Sequence, residues 1–226
     1  LKATLLIPTF NRNNLLIKGL KSIRRYSDIH ILILDENAND ETKDICKQFN
    51  ADYLMTKKSR LWRVPGFAFN IGVKQIDSEI IFFSNPETYH IDDCLTAMFK
   101  VIDTKIIATV NCQDCADGVN IYNENLELLS PILPWLWGLR RSDFMDIGGY
   151  DEDFIGRGFE DTDLSHRLLD NGCQLYQTNM RCLHLYHKRV YLGHKKSDYK
   201  ANGKLYRERL GTIQRNVGKD WGVLNA

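Results

Sequence analysis

The segment 147–167, IGGYDEDFIGRGFEDTDLSHR, gathers carboxylates among glycines and then turns helical in its pattern. It sets Glu160 and Asp161 side by side at the mouth of a helix. Chemistry that deprotonates a substrate hydroxyl needs a carboxylate in such a place. Adjacent residues point differently, so only one of the two reaches a reacting oxygen. The helix N-terminus lowers the pKa of a carboxylate there, which keeps it ionised at neutral pH and weakens it as a base. Its task is then to orient the hydroxyl and take the proton late. Asp163 has Arg167 four residues on and is placed for an ion pair along the helix.

Other residue types that carry chemistry are sparser. Cys112 and Cys115 form a lone CxxC, and no further pair of zinc ligands stands at suitable spacing. Six cysteines in 226 residues do not make a cysteine-dense, loop-rich chain, so reduced thiols in a reducing compartment are expected, and with them a cytoplasmic location. A net charge of +1 gives no bulk attraction to nucleic acid or membrane, which argues against a nucleic-acid binder. No apolar run approaches the ~20 residues of a membrane span, and the opening residues 1–10 read as a strand rather than a signal peptide; an upstream anchor is left open. Nothing in the pattern fixes an oligomeric state.

The elements that must position the carboxylates are legible as alternation. Runs at 3–7, 29–34, 52–55 and 79–83 are apolar with almost no polar interruption, as strands buried on both faces of a parallel sheet are. Between them, 14–26, 41–49 and 67–76 place apolar residues at helical spacing. This is βαβ repetition, hence an α/β fold with right-handed crossovers. Ligands of open α/β sheets bind beyond the carboxyl ends of the strands. There the chain has three polar segments, 8–12, 35–40 and 84–90. No P-loop and no GxGxxG follows the first strand. Further on, a helix is expected at 92–103, strands at 105–110 and 135–140, a hairpin or loop over 111–134, and a short helix capped by Ser142 and ending at Gly148-Gly149. A helix at 161–171 closed by Gly172 and a last strand at 182–187 complete the pattern. No linker divides the chain, which reads as one domain over residues 1–226.

The order of these motifs resembles GT-A-fold glycosyltransferases of the family 2 kind, which transfer sugar from a nucleotide donor with inversion. LLIPTFNR resembles that family's first strand and nucleotide-contacting loop, ILDENANDET its acidic second loop, and FAFNIGVKQIDSEIIFF its helix and fourth strand. WLWGLRRSDFMDIGGYDEDF resembles the acceptor-side segment, and GFEDTDLSHRLLDNG the base-bearing helix, the last also similar to galactosyltransferases of the same fold. The resemblance implies a Rossmann-like, mostly parallel sheet, with residues 1–91 binding the nucleotide-sugar and 92–226 the acceptor. It implies a donor site of Pro8, Thr9, Asn11, Arg12, Asp35, Glu36 and Asn85, with Arg60 and Arg63 in the loop before Pro65-Gly66. For Asp35 the other reading is a turn cap, and Asp40 reads as a cap for the helix after it. Asp161 looks like the base and Glu160 like a contact to the acceptor hydroxyl. A UDP-linked donor and a carbohydrate or glycoconjugate acceptor follow by analogy.

The chain departs from that pattern after the fourth strand. Family members carry two aspartates one residue apart that bind a divalent cation. Here Asn85 and Glu87 keep the spacing, with one carboxylate and one amide oxygen, both acceptable to Mg2+ or Mn2+. A further ligand is expected from His184 or His187, which strand alternation would put on opposite faces; the resemblance of LYHKR favours His187. Arg189 is the candidate for the diphosphate, unless the basic stretch 195–215 is a solvated helix. Trp135, Trp137, Gly149 and Tyr150, which follows the Gly-Gly turn, are candidates for an acceptor platform, although the two tryptophans could equally both face the core. The altered 84–87 segment keeps open a non-catalytic sugar-nucleotide or glycan-binding module on the same fold. A nucleotidyltransferase is disfavoured, since residues 8–12 hold no glycine.

Overall fold

The computed structural model of the chain describes residues 1–56, 65–115, 127–156, 158–187 and 196–224. Chain order runs β1 (Ala3–Thr9), α1 (Asn13–Arg24), β2 (His30–Asp35), α2 (Asp40–Gln48), β3 (Asp52–Met55), α3 (Pro65–Gln75), β4 (Ile80–Ser84), β5 (Thr88–His90) and α4 (Cys94–Phe99). It continues through β6 (Ile106–Cys115), β7 (Leu136–Arg140), α5 (Arg141–Asp146), α6 (Glu160–Asp170), β8 (Gln174–Leu185) and α7 (Lys196–Glu208). All eight strands join one mixed sheet in the order β3-β2-β1-β4-β7-β6-β8-β5. Strands β3, β2, β1 and β4 are mutually parallel, whereas β7 runs antiparallel to both β4 and β6.

The apolar runs are continuous because each strand feeds two cores. Along β1, β2 and β4, Leu5, Ile7, Ile31, Ile33, Ile80 and Phe82 enter one layer, and Leu6, Leu32, Leu34, Ile81 and Phe83 enter the other. The first layer is closed by Leu16, Leu20 and Ile23 of α1, by Ile45 of α2 and by Leu95 and Met98 of α4. Phe69 and Val73 of α3, Phe144 of α5 and Leu164 and Leu168 of α6 close the second. This is the α/β GT-A-type architecture, a central mixed sheet flanked by helices. Among the described residues no helix is long and apolar enough to cross a membrane.

The direction of the strands decides which ends meet. Thr9, Asp35 and Ser84 finish their strands at one edge, and β7 begins there, with Leu136 opposite Ser84. Strand β8 is parallel to β6, so Cys115 and Leu185 finish together. Strand β5 is antiparallel to β8 and therefore starts at the same edge.

Several local expectations are corrected. The segment 84–90 is not all loop, since Thr88–His90 forms β5. The last strand spans Gln174–Leu185, so His187 lies beyond it. Strand β6 continues to Cys115, and Gln113 bridges Leu128. Helix α5 has Arg140 at its N-cap without a side-chain bond, so Ser142 is not the cap. Asn39 rather than Asp40 caps α2, accepting from the Glu41 N–H. Gly172 does close α6, at φ +86°.

Candidate active site

At the carboxyl edge a cavity of about 240 Å3 is lined by residues from six separate stretches of chain: Pro8, Thr9, Phe10 and Arg12; Glu36; Pro65; Asn85, Pro86 and Glu87; Trp135; and Glu160 with Asp161. A second cavity of about 380 Å3 is lined by Asn11, Asn13, Asn14, Asn39, Glu41 and His187, and Arg12 lines both. Most of the expected nucleotide, base and metal residues are thereby brought to one place. Thr9 Oγ1 is buried in the wall of the first cavity and meets no hydrogen-bond partner among the described residues, a vacancy that a ligand hydroxyl fits.

Three expected residues belong elsewhere. Asp35 is fully buried at 0% exposure. Its Oδ1 accepts from Asn37 N–H at 2.9 Å, and its Oδ2 accepts from Asn39 N–H at 2.8 Å and Tyr53 O–H at 3.0 Å. Both oxygens are spent on shaping the loop after β2, which is the turn-capping reading, and Glu36 is the carboxylate of that pair on the cavity wall. Trp137 is 1% exposed inside the second core layer and has no face to offer a sugar, while Trp135 lies before β7 and lines the cavity. The two do not share a face because the alternation starts only at Leu136. Gly149 is buried at φ +67°, and a Cβ there would stand 2.5 Å from Asn70 Oδ1, so it serves a tight turn rather than an acceptor. Arg60, Arg63 and Arg189 lie outside the described residues.

Glu87 is the centre of charge. Its Oε1 lies 2.6 Å from Arg12 NH1, 3.4 Å from His187 Nε2 and 3.6 Å from His184 Nε2. Burial opposes ionisation of this carboxyl, but the two imidazoles and the Arg12 guanidinium outweigh it and hold Glu87 well below the usual carboxylate range. Burial likewise opposes charging of His184, and Glu87 and Asp114 overcome it to raise the imidazole above its ordinary value.

Glu87, His184 and His187 each offer one ligand atom, all within 4.8 Å of one another. The set suits a divalent cation. Glu87 Oε2 is buried without a partner among the described residues. Asp114 Oδ1, at 3.2 Å, takes the Nδ1 side of His184 and leaves Nε2 turned to Glu87, as outer carboxylates commonly orient metal-binding imidazoles. Both histidines reach Glu87 because the chain leaves the strand after Leu185, so strict alternation no longer separates them. Asn85 lines the same cavity as Glu87. Asp114 was not anticipated; it sits in the weakly patterned stretch after residue 110.

Helix α6 presents the other half. Phe159, its N-cap, has φ +75°, a left-handed conformation unusual for a bulky residue. The Phe159 ring is held between Tyr199 and Tyr206 of α7, at centroid distances of 5.0 and 5.5 Å. Asp161 opens onto the cavity from a half-buried position, its carboxyl crowded by protein atoms. That burial, only partly offset by the Tyr150 hydroxyl, pushes its pKa up to about 6. The helix N-terminus therefore does not dominate, contrary to the sequence expectation. Such a group is ionised at neutral pH and is a stronger base than an ordinary aspartate.

The turn carrying Tyr150 is strapped by the end of the chain. Arg215 N–H donates to Ile147 O at 3.0 Å, and Asn216 Nδ2 donates to Gly148 O at 2.8 Å and Tyr150 O at 2.7 Å. Asn70 of α3 donates to Tyr150 O and accepts from Tyr150 N–H. Asp163 is structural as expected, but buried rather than on the surface, with Arg167 Nε at 2.7 Å and Arg215 NH2 at 2.8 Å.

A sheet of this topology, with its polar cavity at the carboxyl edge, is the GT-A type of α/β fold, and solved structures share it. GalNAc-T7, solved with UDP, GalNAc and Mn2+, superposes with a TM-score of 0.72 at 14% identity, covering 92% of this chain and 48% of that one. TarS 1-349 of S. aureus in complex with UDP-GlcNAc gives 0.66 at 14% identity, covering 94% and 67%. The chain belongs to glycosyl transferase family 2, whose sequence profile matches residues 4–164. Validoxylamine A glucosyltransferase of Streptomyces hygroscopicus subsp. limoneus is 24% identical over 75% of this chain and 48% of its own length. The chain thus spans about half the length of the curated relatives it matches.

Proposed function

We propose that this chain transfers a sugar from a nucleoside-diphosphate sugar to a hydroxyl of a carbohydrate or glycoconjugate acceptor, with inversion. The observation that carries this reading is that Glu87, the centre of the imidazole cluster, and Asp161, a carboxylate with its pKa near 6, line one cavity from separate elements.

Glu87, His184 and His187 would hold a divalent cation, Mn2+ or Mg2+, which when bound supplies Lewis acidity at the leaving diphosphate. Thr9 Oγ1 is free to bond a ribose hydroxyl, and Glu36 and Asn85 provide polar walls for the nucleotide. Because Asp161 Oδ1 accepts from Tyr150, Oδ2 is the oxygen left for the acceptor hydroxyl. As the acceptor oxygen bonds to the anomeric carbon, the bond from that carbon to the diphosphate oxygen breaks. The diphosphate leaves with the electron pair, and the hydroxyl proton passes to Asp161. A single displacement of this kind inverts the anomeric centre. Glu160 beside the base and Trp135 on the wall would orient the acceptor. A UDP-linked hexose is the donor favoured, since GalNAc-T7 and TarS carry UDP or UDP-GlcNAc, while a mannosyltransferase of the same fold carries GDP-Man. Six buried free thiols accord with a cytoplasmic setting.

Calorimetric titration of UDP, GDP, CDP and TDP, each with and without Mn2+, tests the reading. Metal-dependent binding of UDP is the expected result. If no nucleotide binds under either condition, a glycan-binding module takes its place.

A further inference from the structure

The guanidinium of Arg12 stands where a cation would have to stand. Its NH1 is 2.6 Å from Glu87 Oε1 and 3.5 Å from His187 Nε2, two of the three atoms that would ligate a metal. Divalent cations sit about 2.0–2.6 Å from their oxygen ligands, so a nitrogen at this separation fills the same volume. From the geometry we infer that Arg12 is a built-in occupant of the cation site, which a divalent ion must displace before it can bind.

The physical reason lies in the burial of Glu87, which is 6% exposed. An ionised carboxylate in such a place is costly unless a positive group compensates it. At Oε1 either the guanidinium or a metal ion can do so, since two cations packed on that one oxygen repel each other. The ligand-free protein is thus stable without metal, and its metal affinity is reduced by the work of removing Arg12. Displacement also has a destination. Arg12 lines both cavities, so a guanidinium released from Glu87 remains on their shared wall, where its forked donors suit phosphate oxygens. Cation and diphosphate are then coupled: the ion frees the arginine, and the diphosphate receives it. Coupling of this kind is reciprocal.

The inference rests on the cation site of the proposed function. The experiment is calorimetric titration of Mn2+ alone into the whole chain, its R12Q variant and its E87Q variant, without nucleotide. R12Q is expected to bind Mn2+ more tightly than the native chain, within the roughly 5- to 150-fold span usual for coupled sites. E87Q is expected to lose binding. Adding millimolar guanidinium ion to R12Q should weaken its Mn2+ affinity again by refilling the vacated position. Equal or weaker binding by R12Q, with E87Q still defective, overturns the inference and leaves the cation site standing. Absence of Mn2+ binding by both the native chain and R12Q overturns the cation site together with the inference. Should R12Q fold poorly, R12K serves as the second variant: its shorter, unforked donor should give an intermediate affinity, and native affinity or weaker overturns the inference.

Discussion

The phenolic hydroxyl of Tyr150 donates to Asp161 Oδ1 at 3.2 Å, joining the Gly148-Gly149 turn to the first turn of α6. Tyr150 is itself buried, which together with Asp161 drives its own pKa well above the ordinary value and keeps its proton in place. The bond has a direction of effect: it stabilises the Asp161 carboxylate and so opposes the upward push of burial. Tyr150→Phe keeps the packing and removes the donor. If the proposed transfer holds, the acid limb of the kcat/KM–pH profile, expected near pH 6 in the native chain, should move to higher pH, with activity largely recovered at alkaline pH. An unshifted limb would detach Tyr150 from the base. A stability loss of about 1 kcal/mol, readable by urea denaturation, accompanies the lost hydrogen bond.

Asp161→Asn should abolish transfer while nucleotide affinity stays within a few-fold. Its effect on stability has a definite sign. The folded pKa of Asp161 lies above its ordinary 3.8, so folding favours the protonated form. That contribution is fully present below about pH 4 and is lost as pH rises through about 6. Asparagine mimics the protonated state at all pH values. The variant should therefore melt above the native protein at pH 7.5, by up to about 2–3 kcal/mol in stability, and level with it near pH 3.5. Thermal melts at the two pH values check this.

Glu87→Gln removes the charge at the centre of the imidazole cluster. Donor binding should weaken chiefly in the presence of Mn2+, and metal dependence should shrink toward none. Titrating UDP with and without the metal into both proteins measures it. Indifference to both metal and mutation would separate Glu87 from any cation.

His90 lies in β5 under α1, with Nε2 buried and unpartnered among the described residues. Burial, with the nearby Arg25, pushes its pKa down to about 3 from 6.5. A depressed histidine contributes stability that is present above pH 6.5 and lost as pH falls toward 3. His90→Leu should flatten the decline of stability over that range by one proton, about 1.4 kcal/mol per pH unit. Denaturant titrations at pH 7, 5.5 and 4.5 give the slope.

Strands β1, β2 and β4 were legible to within a residue or two, because burial on both faces writes an unbroken apolar run; β3, at the sheet edge, was legible although it is only half-buried. Strand β8 was half missed for the opposite reason. Over Gln174–Leu185 its first half pairs with β6 on one side only, and Gln174, Tyr176 and Gln177 face solvent. The carboxylates Glu87 and Asp161 were identifiable from motif order. Their environment was not, since the burial that raises Asp161 and the proximity of Arg12 to Glu87 arise from contacts between residues far apart in the chain. Asp35 and Trp137 illustrate the same limit: the types suited a ligand, but local backbone geometry turned one into a loop and the other into the core. Tyr150 was expected as a sugar-stacking aromatic, but its ring is buried and its hydroxyl meets Asp161, while Asp114 carried no periodic signal that would have marked it as a partner of His184.

The strap at Arg215 and Asn216, and the α7 tyrosines that clasp Phe159, fix the order in which the site can be assembled during synthesis. The loops after β1 and β4 emerge early and can settle on the parallel strands around them. Asp161 emerges later, and the residues that hold its helix and its supporting turn emerge later still, at 199–216. A nascent chain stalled before them carries the Glu87 side of the cavity without the contacts that hold Asp161, so the acidic half is completed last.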